Sequence, residues 1–225
     1  MIAHPFKTPR TAHIYTHNEP SDKTRYIWFV AHGYGQLASS IIRKLTHLYE
    51  QHYVVSVEGL SRFYFHFEKG VVGASWMTKN DRLHEIDDYT NYLDNVYAQF
   101  VTANVRKAAM LGGSPKIIFL GFSQGGICIA RWMSISKPRC DHFISWGSAL
   151  PDDVDYNNPE ITAYFKSFKT SFICGTHDEF FYEERRNKYK DFLAKLPFEV
   201  EQISFEGKHE ILVPVLDAYF ETHIR

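Results

Sequence analysis

The amino-acid sequence predicts an α/β protein with a mostly parallel central sheet and helices on both faces, and three observations carry that prediction. From residue 25 to residue 225, short apolar runs alternate with longer segments of helical period. Each apolar run ends in Gly, Ser or a polar turn. No internal repeat or linker divides the 225 residues, so residues 1–225 are read as one domain.

The first expected strand spans Thr11 to Thr16 and is joined by the polar turn Asn18 to Lys23 to the next, which places it antiparallel at the sheet edge. The parallel strands expected after it are Tyr26 to Ala31, Tyr53 to Val57, Lys116 to Gly121, His142 to Trp146, Ser171 to Cys174 and Phe198 to Phe205. Leu37, Ile41, Leu45 and Leu48 recur at helical spacing and give one apolar face between the first two parallel strands. The longest helix is expected to start at Asn80 or Asp81, a suitable cap, and to end before Gly112-Gly113. Its buried side reads Leu83, Ile86, Leu93, Val96, Tyr97, Phe100 and Val101. The segment Gly125 to Ser136 is apolar nearly all round, as a central helix requires. Helices over Glu183 to Leu196 and Pro214 to Thr222 complete the set, with Pro214 in a first turn where its missing N–H costs little.

Composition removes several classes of function. Lys and Arg number 25 against 26 Asp and Glu, a net charge of -1 that argues against an electrostatic nucleic-acid binder. No apolar run approaches the roughly 18 to 20 residues that cross a bilayer. His4, Pro5, Lys7, Pro9 and Arg10 interrupt any secretory signal at the start of the sequence. Three cysteines, Cys128, Cys140 and Cys174, have no CxxC spacing, which fits a reduced, cytoplasmic protein. No metal, nucleotide or flavin motif is evident, and Gly112-Gly113-Ser114 lacks the phosphate-loop spacing, so no cofactor is expected.

Gly121-Phe122-Ser123-Gln124-Gly125-Gly126 lies between an expected strand and an expected helix, the setting of a nucleophile elbow. A serine on that turn needs small neighbours two residues before and after it, and the Gln124 N–H then points to where an oxyanion forms. The competing reading is a glycine-rich turn without chemistry. Serine needs a base oriented by an acid. Asp178, in Gly175-Thr176-His177-Asp178, and His209, in Gly207-Lys208-His209, follow later strand ends and converge with Ser123 on the carboxyl edge of the sheet. His177 is the rival base, and Asp152, Asp153 and Asp155 are the rival acids. His4, His13, His17, His47, His52, His66, His84 and His223 show no paired metal-ligand spacing and are read as surface or loop residues. His32-Gly33-Tyr34-Gly35 follows the first parallel strand and offers the Tyr34 N–H as a second oxyanion donor.

With these motifs in this order the chain resembles the phospholipase/carboxylesterase group of α/β-hydrolases, which includes acyl-protein thioesterases. The resemblance runs from about Tyr26 to about Leu216, and the six-residue serine motif is its most specific part. It implies an α/β-hydrolase fold without a separate cap domain and an esterase or thioesterase. In that enzyme Ser123 is the nucleophile, His209 the base and Asp178 its orienter, with donors at Tyr34 and Gln124. Two departures border the expected pocket. Gln36 stands where the family commonly has Asp, and Glu179-Phe180-Phe181-Tyr182 replaces a Pro-rich segment.

Aromatic residues make up 16% of the chain, and part of them gather in Glu58 to Trp76, which is neither helical nor regularly alternating. Phe63, Phe65, Trp76 and Phe180 are the expected substrate contacts, an apolar wall for an acyl or aryl group. Equally open is the reading that Phe63, Phe65 and Phe67 anchor the loop to the core. Arg62 is the one charge there that could meet an anionic substrate. The expected partner is a small-molecule ester or thioester, and the oligomeric state stays open, a homodimer included. Peptidase, acyltransferase and non-catalytic binder on the same fold are the alternatives.

Overall fold

The computed structural model describes Ile2 and residues 4–225. Its sheet has seven strands: β1 (Ile14–His17), β2 (Tyr26–Ala31), β3 (His52–Val57), β6 (Lys116–Phe122), β7 (His142–Trp146), β8 (Lys169–Gly175) and β9 (Glu201–Phe205). They lie in the order β1-β3-β2-β6-β7-β8-β9. Only β1 runs antiparallel, against β3, with Ile14 opposite Val57. The remaining pairs are parallel, β2 next to both β3 and β6. The central strands are buried on both faces, which is why their sequences are continuous apolar runs.

Six of the helices are α1 (Ala38–Ile42), α2 (Arg82–Val96), α3 (Ala103–Met110), α4 (Gln124–Ser136), α6 (Glu183–Leu193) and α7 (Val213–His223). One core layer packs Trp132, Phe29, Phe119 and Phe143 beneath α2 and α4, and the other packs Trp28, Trp146, Leu45 and Phe220 beneath α1 and α7. This is the α/β-hydrolase fold, and no separate cap domain is apparent among the described residues.

Several expectations need correction. Residues 58–76 are not an irregular loop but a second, two-stranded antiparallel sheet, β4 (Ser61–His66) and β5 (Val71–Ser75), turning at Gly70. Its alternation was masked because both faces carry aromatics: Phe63 and Phe65 on one, Tyr64 packed on Phe67 on the other. The first helix stops at Ile42 and continues as turns, although Leu45 stays fully buried. The longest helix is interrupted by a π-turn at Tyr97–Thr102. Leu83 is 73% exposed rather than buried, since it lies in the first turn of α2, outside the packed stripe. Asp81 precedes that helix at φ 57 without capping it, its carboxylate engaged by His84. A short helix, α5 (Pro159–Phe165), was not foreseen, although Asn158 caps it by accepting from the Glu160 and Ile161 N–H groups. The Phe198 to Phe205 strand starts only at Glu201.

His52 is buried, not a surface residue, and its Nδ1 accepts the Trp28 indole N–H at 3.0 Å. Burial, with added repulsion from His47 and opposed by the attraction of Glu221 and Asp217, lowers its pKa to about 4. His142 behaves alike, lowered to about 4 by burial and then by Lys169, His223 and Lys116. Unfolded imidazoles protonate near pH 6.5, so between there and pH 4 the unfolded chain binds more protons and the fold loses stability as pH falls. Each histidine contributes a slope of up to about 1.4 kcal/mol per pH unit. Denaturant unfolding at pH 7 and pH 4.5 is expected to show this loss, partly flattened in His142→Gln; equal midpoints at the two pH values would contradict it.

Candidate active site

The carboxyl edge of the sheet gathers four strand exits. At the first, Ser123 sits at φ 52 and ψ -123, a left-handed backbone that a serine adopts only when its surroundings enforce it. Enforcement comes from packing: a Cβ on Gly121 would strike the Gly126 backbone, and one on Gly125 would strike the carbonyls of Ala31 and His32. The Ser123 N–H donates to the Trp146 carbonyl at 2.9 Å, and α4 starts at the next residue with its positive end facing the hydroxyl.

At the end of β8, Asp178 is 3% exposed, with Oδ1 accepting the Phe180 N–H at 2.8 Å and Oδ2 accepting from His209 Nδ1 at 2.7 Å. Burial alone would raise its pKa, but the bonds from His209 and Phe180 outweigh burial and hold the carboxyl below its ordinary range. Past β9, the His209 ring lies between Phe122, with centroids 4.8 Å apart, and Phe180, at 4.5 Å. The His209 loop is tied to the Asp178 loop by the His177 N–H on the Gly207 carbonyl and to β7 by the Trp146 indole on the Glu210 carbonyl, both 2.8 Å. This fixes Nδ1–H toward Asp178 and leaves Nε2 as the free lone pair. Ser123 directly follows Phe122, whose ring packs on His209, and no hydrogen bond links the Ser123 and His209 side chains among the described residues.

The rival residues are occupied elsewhere. His177 is exposed and pairs with Glu206 at 2.7 Å. Asp153 is held by Arg131 and Arg82 at 2.7 and 2.8 Å, while Asp152 and Asp155 are exposed. Arg62 spends its guanidinium on the buried Glu58 at 2.6 Å, and Glu58 in turn accepts the Ala38 N–H at the start of α1.

Opposite Ser123 runs the segment after β2. Gly35 adopts φ 73 and the Gln36 N–H donates back to the Gly33 carbonyl at 3.1 Å, the pattern of a type II turn. A Cβ placed on Gly33 would lie 3.1 Å from the Ser123 Cβ, so this turn borders the serine directly. Gln36 uses its side chain to accept the Gly33 N–H at 3.1 Å. Among the described residues, neither the Tyr34 N–H nor the Gln124 N–H has an acceptor in the chain. The β4–β5 hairpin rests on the same turn through the Gly35 N–H to the Ala74 carbonyl, at 3.0 Å, and the Ala74 N–H to the Gln36 carbonyl, at 2.9 Å. Phe63 and Phe65 thereby gather around Tyr34, with centroids 5.2 and 6.3 Å away. Phe65, Tyr34 and Phe180 remain 44%, 54% and 51% exposed. Trp76 differs: it is 2% exposed and donates its indole N–H to the His32 carbonyl at 2.8 Å, so it supports the turn from behind and presents no face to a ligand.

Sequence reading missed two contributors. The Gln124 carboxamide clasps the hairpin exit, accepting from the Trp76 N–H at 3.1 Å and donating to the Met77 carbonyl at 2.9 Å. Gly147, at φ 54, lies where a Cβ would come 3.1 Å from His209 Nδ1 and 3.3 Å from Asp178 Oδ2. Its signal was available as a glycine directly after β7 at the same sheet edge. Among the described residues, no group of three or more His, Cys, Asp or Glu is placed to hold a metal ion, and no helix is long and apolar enough to cross a membrane.

The chain is similar in structure to acyl-protein thioesterase 2 of Zea mays, with TM-score 0.68, 14% identity, and coverage of 95% of this chain and 97% of that one. A carboxylesterase from Mesorhizobium loti gives TM-score 0.65 at 15% identity, covering 97% and 98%. A phospholipase/carboxylesterase from Dyadobacter fermentans gives 0.60 at 17%, covering 97% and 99%. At these identities the likeness speaks for the fold. No curated protein matches the chain significantly. The phospholipase/carboxylesterase family model matches residues 13–224, nearly the whole chain, and the chain belongs to that family.

Proposed function

We infer the function from the family and the site together: membership of this family supports a serine-hydrolase-type α/β-hydrolase acting on esters or thioesters. We propose that it cleaves a carboxylic ester or thioester of a small or medium apolar acyl or aryl substrate through an acyl-enzyme on Ser123. The observation that carries this reading is the buried Asp178–His209 pair beside a serine held in a left-handed strand-to-helix turn. Ser123 Oγ attacks the carbonyl carbon as His209 Nε2 takes its proton, and the carbonyl oxygen becomes an oxyanion facing the Tyr34 and Gln124 N–H groups. Collapse expels the alcohol or thiol, which takes the proton from His209. Water then repeats the sequence on the acyl-enzyme and releases the acid. Asp178 stabilises the imidazolium and holds its orientation. The Ser123–His209 hydrogen bond, not formed in this structure, is made as substrate binds, since catalytic hydrogen bonds are often long or poorly aligned without substrate. Phe63, Phe65 and Tyr34 on one side and Phe180 on the other supply apolar contact for the substrate.

A fluorophosphonate probe is expected to label the folded protein once, at Ser123, and the heat-denatured protein not at all. Hydrolysis of graded acyl esters and thioesters should be abolished by the same labelling. A folded chain that resists the probe and hydrolyses none of the panel would overturn the proposal.

A further inference from the structure

His32 opens the turn that borders Ser123 and is completely buried. Its Nε2 lies 2.9 Å from the Gly59 N–H, which can only donate, so Nε2 carries the lone pair. The single ring proton is therefore on Nδ1, 2.7 Å from the Gly33 carbonyl oxygen. Burial pushes the imidazole below its ordinary pKa, against the smaller opposing pull of the Gly33 carbonyl and Glu58, so the neutral form persists. The ring also packs on Trp76, whose indole N–H holds the His32 carbonyl. His32 is thus locked in one tautomer and one orientation.

The consequence falls on the next peptide. All peptide bonds in the described chain are trans, so the C=O of Gly33 and the N–H of Tyr34 point in opposite directions across one rigid plane. Anchoring the oxygen to His32 turns the Tyr34 N–H away from the core. We propose that His32 is a positioning residue that aims the Tyr34 N–H at the developing oxyanion, an inference that rests on Ser123 acting as the nucleophile. An oxyanion donor works only when it is already aligned, because a peptide that must rotate during reaction loses the benefit of preorganisation.

Two substitutions separate the two bonds of the ring. In His32→Asn the side-chain amide reaches the place of Nδ1 and still donates to Gly33; in His32→Gln it reaches the place of Nε2, keeps an acceptor for Gly59 and loses the Gly33 bond. The expected result with an aryl ester is kcat within about tenfold of wild type for His32→Asn. For His32→Gln, kcat falls by about 10² or more, with KM changed by less than about threefold. Equal losses in both variants, a larger loss in His32→Asn, or an effect confined to KM would overturn the proposal. Nitrogen NMR of the unmodified protein gives a readout independent of variant folding: protonated Nδ1 and bare Nε2 are expected, and the opposite tautomer would overturn it too. A wild type without Ser123-dependent turnover would instead remove the functional reading itself. An active wild type with indistinguishable variants would remove only the role of His32.

Discussion

Ser123→Ala is expected to lower kcat/KM for any hydrolysed ester by about 10⁴ to 10⁶ while leaving the thermal midpoint within a degree or two of wild type. In the proposed mechanism the size follows from losing the atom that forms the acyl-enzyme, while the proposed N–H donors and binding faces remain and supply the residual rate. Stability should hold because the turn is fixed by backbone contacts, namely the Ser123 N–H on Trp146 and the packing of Gly121 against Gly126, and not by the hydroxyl. The companion variants decide the acid. Asp178→Asn presents an amide N–H to His209 and favours the tautomer with its proton on Nε2, which cannot accept the serine proton, so a loss of about 10⁴ is expected. Asp152→Asn, on an exposed side chain, should change nothing measurable. Stopped-flow ester hydrolysis checks all three. Wild-type turnover in Ser123→Ala, or a large loss in Asp152→Asn with none in Asp178→Asn, would break the mechanism.

The parts of the site that were legible in the sequence share one property: each follows directly from a strand end. Ser123, Asp178 and His209 come one to four residues after β6, β8 and β9, and a parallel sheet delivers those exits to one edge irrespective of what lies between. The turn at His32 to Gly35 was readable for the same reason. What was not legible depends on contacts between segments far apart in the chain. The aromatic cluster before it and the family resemblance point Trp76 toward a substrate wall, but its indole N–H is drawn inward by the His32 carbonyl, a partner 44 residues away. The hairpin is masked because aromatics stand on both of its sides: Phe63 and Phe65 gather at the Tyr34 turn, and Tyr64 and Phe67 lie at the surface on the other. Asn158-Pro159-Glu160 was a readable helix start, passed over because the preceding acids suggested a solvated turn. The tautomer of His32 could not have been read at all, since it is set by the Gly59 N–H after β3.

Gly147→Ala is expected to damage catalysis far more than its single methyl group suggests, and Gly70→Ala provides the matched control. Both glycines have positive φ, 54 and 62, so both substitutions place an alanine in a backbone conformation that costs it roughly 1 kcal/mol or more. Their surroundings differ. A Cβ on Gly70 meets nothing within 4 Å, whereas one on Gly147 comes 3.1 Å from the Cε1 and Nδ1 of His209 and 3.3 Å from Asp178 Oδ2. Neither partner has room to yield: His209 is held between Phe122 and Phe180, and Asp178 is fixed by the Phe180 N–H. The methyl group must therefore displace the imidazole by a few tenths of an ångström relative to Ser123, or lengthen its bond to Asp178. Since displacements approaching 1 Å cost about 10² in rate, Gly147→Ala should lower kcat by about tenfold to a hundredfold with KM little altered. Gly70→Ala should carry only the backbone cost in stability and retain kcat. Equal kcat values for the two variants would mean that the Asp178–His209 pair tolerates crowding at its open side, and that its position does not limit the rate.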